Sequence, residues 1–131
     1  MGKTKILIVD DEPDIRNLVK ARFEFSGYDC LTAKDGEEAI RIATEGKPAA
    51  IVLDLIMPKM DGFEVYKVLK FNRATKNIPI IAYTAHPGVV SEKISQKRIE
   101  LVDIVDILMK PFEAKVLVSA VEKAIGKLNK D

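Results

Sequence analysis

Five short apolar runs recur along the chain, separated by stretches in which apolar residues return every three or four positions. The runs are Lys5–Val9, Tyr28–Ala33, Ala50–Asp54, Ile78–Thr84 and Ile104–Met109. Their hydrophobicity is continuous rather than alternating, which predicts strands covered on both faces, as in a parallel sheet. The first helix is predicted to start at Pro13, to carry Ile15, Leu18, Val19 and Phe23 on one stripe, and to stop near Ser26-Gly27. Asp35 and Glu38 form a capping-box pattern that opens a second helix through Ala39, Ile40 and Ala43, with Gly46 to close it. A third helix is expected after Gly62, burying Val65, Val68 and Leu69. The last carries Leu117, Val121, Ala124, Ile125 and Leu128 on a single stripe. Between Thr84 and Lys110 the apolar residues fit no one stripe well, and a single helix is assigned there. Strands alternating with helices predict βαβ units in a doubly wound α/β fold.

Length limits this reading to one domain: 131 residues make one core, and two of ordinary size do not fit. The domain is expected over 1–131, with its core at about 4–128 and no attached output domain. Hydrophobic residues at 47% and charged residues at 31%, with a net charge of +1, describe a globular rather than a disordered chain. No Lys/Arg block stands out, so direct nucleic-acid binding is not expected. No run reaches the roughly 20 apolar residues needed to span a bilayer, and the start lacks the apolar core of a cleavable signal. Cytoplasmic residence away from membranes is expected. The single cysteine, Cys30, excludes an intramolecular disulfide and reads as an inert core thiol.

Charge appears where the apolar runs stop. Asp10 and Asp11 follow the first strand, Asp54 ends the third, Thr84 the fourth, and Lys110 follows the fifth. Ligands bind at the carboxyl edge of such sheets, and right-handed crossovers allow strands one and three to be neighbours. Three carboxylates brought together repel, so one takes a proton or a cation neutralises them. An oxygen-only set of this kind suits Mg²⁺ or Mn²⁺. Taken singly, each residue has a plainer reading: an N-cap pair, a turn-forming Asp, a solvated Lys. Taken together at matched strand ends, they support phosphoryl transfer to a carboxylate. Asp54 is the nucleophile, the metal and Lys110 balance charge, and Thr84 donates a hydrogen bond to the product.

The segments Val9-Asp10-Asp11-Glu12-Pro13, Asp54 with Met57-Pro58 and Asp61-Gly62, Thr84-Ala85 and Lys110-Pro111-Phe112 together resemble the receiver domain of two-component response regulators. The resemblance covers nearly the whole chain. It implies a flavodoxin-like sheet of order 2-1-3-4-5 with helices on both faces. It also implies phosphorylation of Asp54 by a histidine kinase or phosphotransfer protein. Asp11 would bind Mg²⁺ directly, Asp10 largely through water, and the main-chain carbonyl of Ile56 would complete the protein ligands. Thr84 and Lys110 would contact the phosphoryl group, and Lys110-Pro111 would be a cis peptide.

With no output domain expected, the chain would be a stand-alone switch that binds a downstream protein or passes phosphate onward, as a monomer or a phosphorylation-linked dimer, and would catalyse only its own phosphorylation and dephosphorylation. Two positions depart from the family pattern. Ile107 replaces the aromatic three residues before the lysine, and the interval from Thr84 to Lys110 is long. His86 is either a solvated loop residue or a neighbour of the phosphoryl pocket. The alternative function is a metal-dependent phosphohydrolase with an Asp nucleophile; against it, those enzymes place a second Asp two residues beyond the nucleophile, where this chain has Ile56.

Overall fold

The computed structural model of the protein describes residues 4–57, 62–84, 104–109 and 114–128. Strands β1 (Lys5–Val9), β2 (Asp29–Ala33), β3 (Ala50–Asp54), β4 (Ile80–Thr84) and β5 (Ile104–Met109) form a parallel sheet in the order β2-β1-β3-β4-β5. Described helices are α1 (Pro13–Phe25), α2 (Gly36–Gly46), α3 (Gly62–Phe71) and the C-terminal α4 (Ala114–Leu128). The helix expected between β4 and β5 lies outside the described residues.

Successive strand residues point to opposite faces, and the two faces bury different helices. Leu7, Val9, Ile51 and Leu53 meet Ala39 and Ala43 of α2 and Phe63, Val65, Tyr66 and Leu69 of α3. Ile6, Ile8, Val52, Ile81 and Tyr83 meet Val19 and Phe23 of α1 and Leu117, Val121 and Ala124 of α4. All of β3 is buried, and each large apolar side chain so placed contributes about 1.5–3 kcal/mol of transfer free energy. This two-sided burial explains why the strand sequences are continuous apolar runs.

Two strands begin later than the apolar runs do. Tyr28 gives its N–H to the carbonyl of Phe23 (3.1 Å), which serves the end of α1 rather than the ladder. Ile78 gives its N–H to the carbonyl of Thr75 (3.0 Å), and Pro79 has no N–H to give. Between β4 and β5 the register slips after Ile80–Ile104, so that Ile81 pairs with Asp106.

Two positions assigned to buried stripes face outward: Leu18 of α1 is 62% exposed and Val68 of α3 is 39% exposed. The α3 stripe is instead centred on Phe63, Tyr66 and Leu69, a half-turn from Val68. Helix α1 ends in a Schellman motif. Gly27, at φ 96°, donates to the Glu24 carbonyl (3.1 Å) while Tyr28 donates to that of Phe23. The rings of Phe23 and Tyr28 close the motif edge to face at 5.7 Å.

Helix α2 is capped by the Asp35 side chain, which accepts from the Glu38 N–H at 2.9 Å. The Glu38 carboxylate reaches back to the Lys34 N–H (3.2 Å), one residue before the position a strict capping box uses. Gly46 ends the helix, but the left-handed residue is Lys47, at φ 42°. Gly46 serves close packing, since a Cβ there would lie 2.8 Å from Cδ1 of Leu31.

Cys30 is half-buried and directs its thiol at the Lys20 carbonyl (3.6 Å). Burial, with the charge of Glu24 next, pushes the thiol up to about 11, which fits the inert reading. Among the described residues no helix is long and apolar enough to cross a membrane.

Candidate functional site

The carboxyl ends of β1 and β3 are adjacent because Val9 pairs with Leu53. The next residue on each strand is an aspartate. Both Asp10 and Asp54 are buried, and backbone N–H groups two residues ahead hold them: Glu12 donates to Asp10 Oδ1 (2.9 Å) and Ile56 donates to Asp54 Oδ1 (3.1 Å). These local bonds turn the chain sharply out of each strand and aim the carboxylates at the edge rather than into the core. Arg16, one turn into α1, fixes the exit of β1 by donating from Nη1 to the Asp10 carbonyl at 2.8 Å.

Asp10, Asp11, Glu12 and Asp54 each present one carboxylate oxygen to a common point, with those oxygens within 4.8 Å of one another. Asp10 and Asp54 form its floor, Asp11 is half-buried, and Glu12 is exposed at the rim. Glu12 was not assigned to the site from the sequence. It precedes Pro13 and reads there as an acidic residue at a helix N-terminus, and it is indeed the N-cap of α1, although its side chain makes no capping bond. An all-carboxylate donor set at this spacing fits a hard divalent cation such as Mg²⁺ or Mn²⁺.

Thr84, the last residue of β4, is buried one step beyond Tyr83, the register partner of Asp54. Its own partner on β5 is Met109, the residue before Lys110. Lys110, His86, Pro58, Asp61 and the Lys110-Pro111 peptide bond lie outside the described residues. Ile107 pairs through its backbone with Ala82.

Two further residues shape the site. A Cβ on Gly62 would sit 2.5 Å from both the Asp54 carbonyl oxygen and Leu55 Cα, and its N–H donates to the Leu55 carbonyl (2.9 Å). The first turn of α3 therefore presses directly on the backbone that carries Asp54, a fit open only to glycine. Tyr83, fully buried, donates its hydroxyl to Asp10 Oδ2. Burial first, then the charge of Asp10 and the hydrogen bond to it, hold the phenol far above its ordinary range, so it is a neutral donor. In the sequence Tyr83 looks like one more apolar strand residue.

The family profile described as response regulator receiver domain matches residues 6–122. Among curated relatives, the "Probable transcriptional regulator ycf27" of Porphyridium aerugineum is 39% identical over 99% of this chain and 51% of its own length. The "DNA-binding dual master transcriptional regulator RpaA" of Synechocystis is 36% identical over 96% of this chain and 51% of its own. The chain thus spans about half the length of these relatives. A crystal structure of a response regulator receiver domain protein from Clostridium thermocellum superposes with a TM-score of 0.81 at 29% identity, covering 96% of this chain and 97% of that one.

Proposed function

The chain belongs to the response regulator receiver domain family, and on that footing we propose that it is a switch driven by phosphorylation of Asp54. The observation that carries the reading is the cluster of Asp10, Asp11, Glu12 and Asp54, whose ligand atoms converge within 4.8 Å at the mouth of β1 and β3. Asp54 is the acceptor: it ends the buried central strand, and the Ile56 N–H steadies its Oδ1. Asp10, Asp11 and Asp54, with the Ile56 main-chain carbonyl, are the protein ligands for Mg²⁺ or Mn²⁺, Asp10 largely through water. The bound cation supplies charge neutralisation on the transferring oxygens. Thr84 donates to the phosphoryl oxygens from the end of β4, and Lys110, following Met109, balances their charge. The phosphoryl donor is a histidine kinase or a phosphotransfer protein.

Phosphorylation would bias a two-state surface toward a target protein, or the phosphate would pass onward in a relay. The relatives' names offer transcriptional control as the downstream output. The 131 residues, at a net charge of +1, are read as the switch and not as the DNA-contacting part.

Incubation with acetyl phosphate, followed by intact mass, tests the reading. A single phosphoryl adduct is expected that requires Mg²⁺ and is lost in Asp54→Asn. Adduct formation that persists in the variant, or steady phosphate release from many small esters, would contradict it; the second outcome would favour a phosphohydrolase.

A further inference from the structure

On β4 the side chains of Ile81 and Tyr83 lie on one face, packed toward α1 and α4, and the residue at position 83 needs no polar atom to fill that space. A phenol buried there must find an acceptor. It finds one two strands away: Tyr83 lies on β4 beside Asp54 on β3, and its hydroxyl reaches past β3 to Asp10 at the end of β1. Neighbouring strands are about 4.8 Å apart, so the span is roughly 10 Å. A serine or threonine in the same place would fall short, and a phenylalanine would fill the space without donating.

We propose that Tyr83 is a positioning residue for the cation site, holding the Asp10 carboxylate in the orientation that receives a divalent ion. A carboxylate turns easily about its terminal torsion when nothing holds it. Here Oδ1 accepts from the Glu12 N–H, Oδ2 accepts from Tyr83, and the carbonyl of the same residue accepts from Arg16. Rotation would break bonds at both oxygens. Outer partners of this kind, when removed, commonly reduce metal affinity 10- to 100-fold.

The inference rests on the metal-site reading above, and one set of titrations separates the two. Calorimetric titration with MgCl₂ is carried out on the wild-type chain, Tyr83→Phe, Asp10→Asn and the double variant. Tyr83→Phe is expected to raise the Mg²⁺ dissociation constant about 10-fold or more, with the far-ultraviolet dichroism unchanged. In the Asp10→Asn background the same change is expected to have less than about a twofold further effect, because the carboxylate it orients is gone. In the absence of Mg²⁺, amide exchange at Glu12 is expected to quicken in Tyr83→Phe as the Asp10 carboxylate becomes free to turn. Equal Mg²⁺ affinity in wild type and Tyr83→Phe overturns the role of Tyr83 and leaves the site intact. Loss of the fold in Tyr83→Phe also overturns it, since the ring is retained and the hydroxyl would then be structural. No Mg²⁺ uptake by the wild-type chain overturns the site and the inference together.

Discussion

Side chains at the ends of β1 and β3 show how much a single position can carry and how differently two positions can read. Asp10 and Asp54 stand out in the sequence because an acid at the end of an apolar run has no packing reason to be there. Gly62 and Tyr83 do not stand out. One is needed where an added Cβ would lie 2.5 Å from the Asp54 carbonyl oxygen, and the other for a hydroxyl that crosses a strand, and both are three-dimensional facts without a local signature. Cys30 offers a test at this scale. Its thiol, with an ordinary value of 9.0, is raised by burial to about 11 in the folded chain. The unfolded chain therefore loses this proton first on going alkaline. The contribution is fully present below pH 9 and is lost as pH rises through about 11. Denaturant melts from pH 8 to 11 are expected to show the wild type losing more stability than Cys30→Ala. Parallel curves for the two would contradict the burial of the thiol.

Helices were legible in kind and less so in the direction they face. The α4 stripe was readable because Leu117, Val121 and Ala124 all pack on the sheet. Leu18 and Val68 face outward although their spacing places them on a stripe, because three-or-four spacing admits a residue at its margin, and only the neighbouring helices and strands decide whether that margin is covered. Strand starts shifted for a similar reason: backbone N–H groups at Tyr28 and Ile78 were already committed to a helix end and a turn. Caps were the most readable feature, since Asp35 and Gly27 act through bonds within a few residues of themselves. At Gly27, with φ 96°, a side chain is strained even though nothing lies within 4 Å of an added Cβ. Gly27→Ala is expected to destabilise the domain by about 1–2 kcal/mol, measured by urea unfolding. A change within error of zero would mean that α1 can end without the left-handed residue.

At the level of the molecule, the sheet order determines which residues meet. Asp10 and Asp54 become neighbours because β3 follows β1 in the sheet although β2 follows it in the chain. The strand pattern implied parallel βαβ units, and the resemblance supplied the order. The inclusion of Glu12 depended on how the chain leaves β1 and had no separate signal. On the proposed reading of the site, stability depends on the ion. Mg²⁺ at 100 times its dissociation constant is expected to stabilise the native state by about 2.7 kcal/mol. Thermal melts should show a higher midpoint with Mg²⁺ than with chelator in the wild type, and a smaller difference in Asp10→Asn. Equal differences in the two proteins would remove Asp10 from the ligand set.

The crossing of β3 by the Tyr83 side chain has a consequence for assembly. Local bonds hold one oxygen each of Asp10 and Asp54, but the bond from Tyr83 to the second oxygen of Asp10 exists only when β1, β3 and β4 lie side by side. A partly folded chain, with its first strand docked but its fourth still loose, would offer a slack and ill-aimed set of oxygens. On the proposed reading, tight chelation is a property of the finished molecule, and ion uptake followed during refolding would report the moment at which the three strands close ranks.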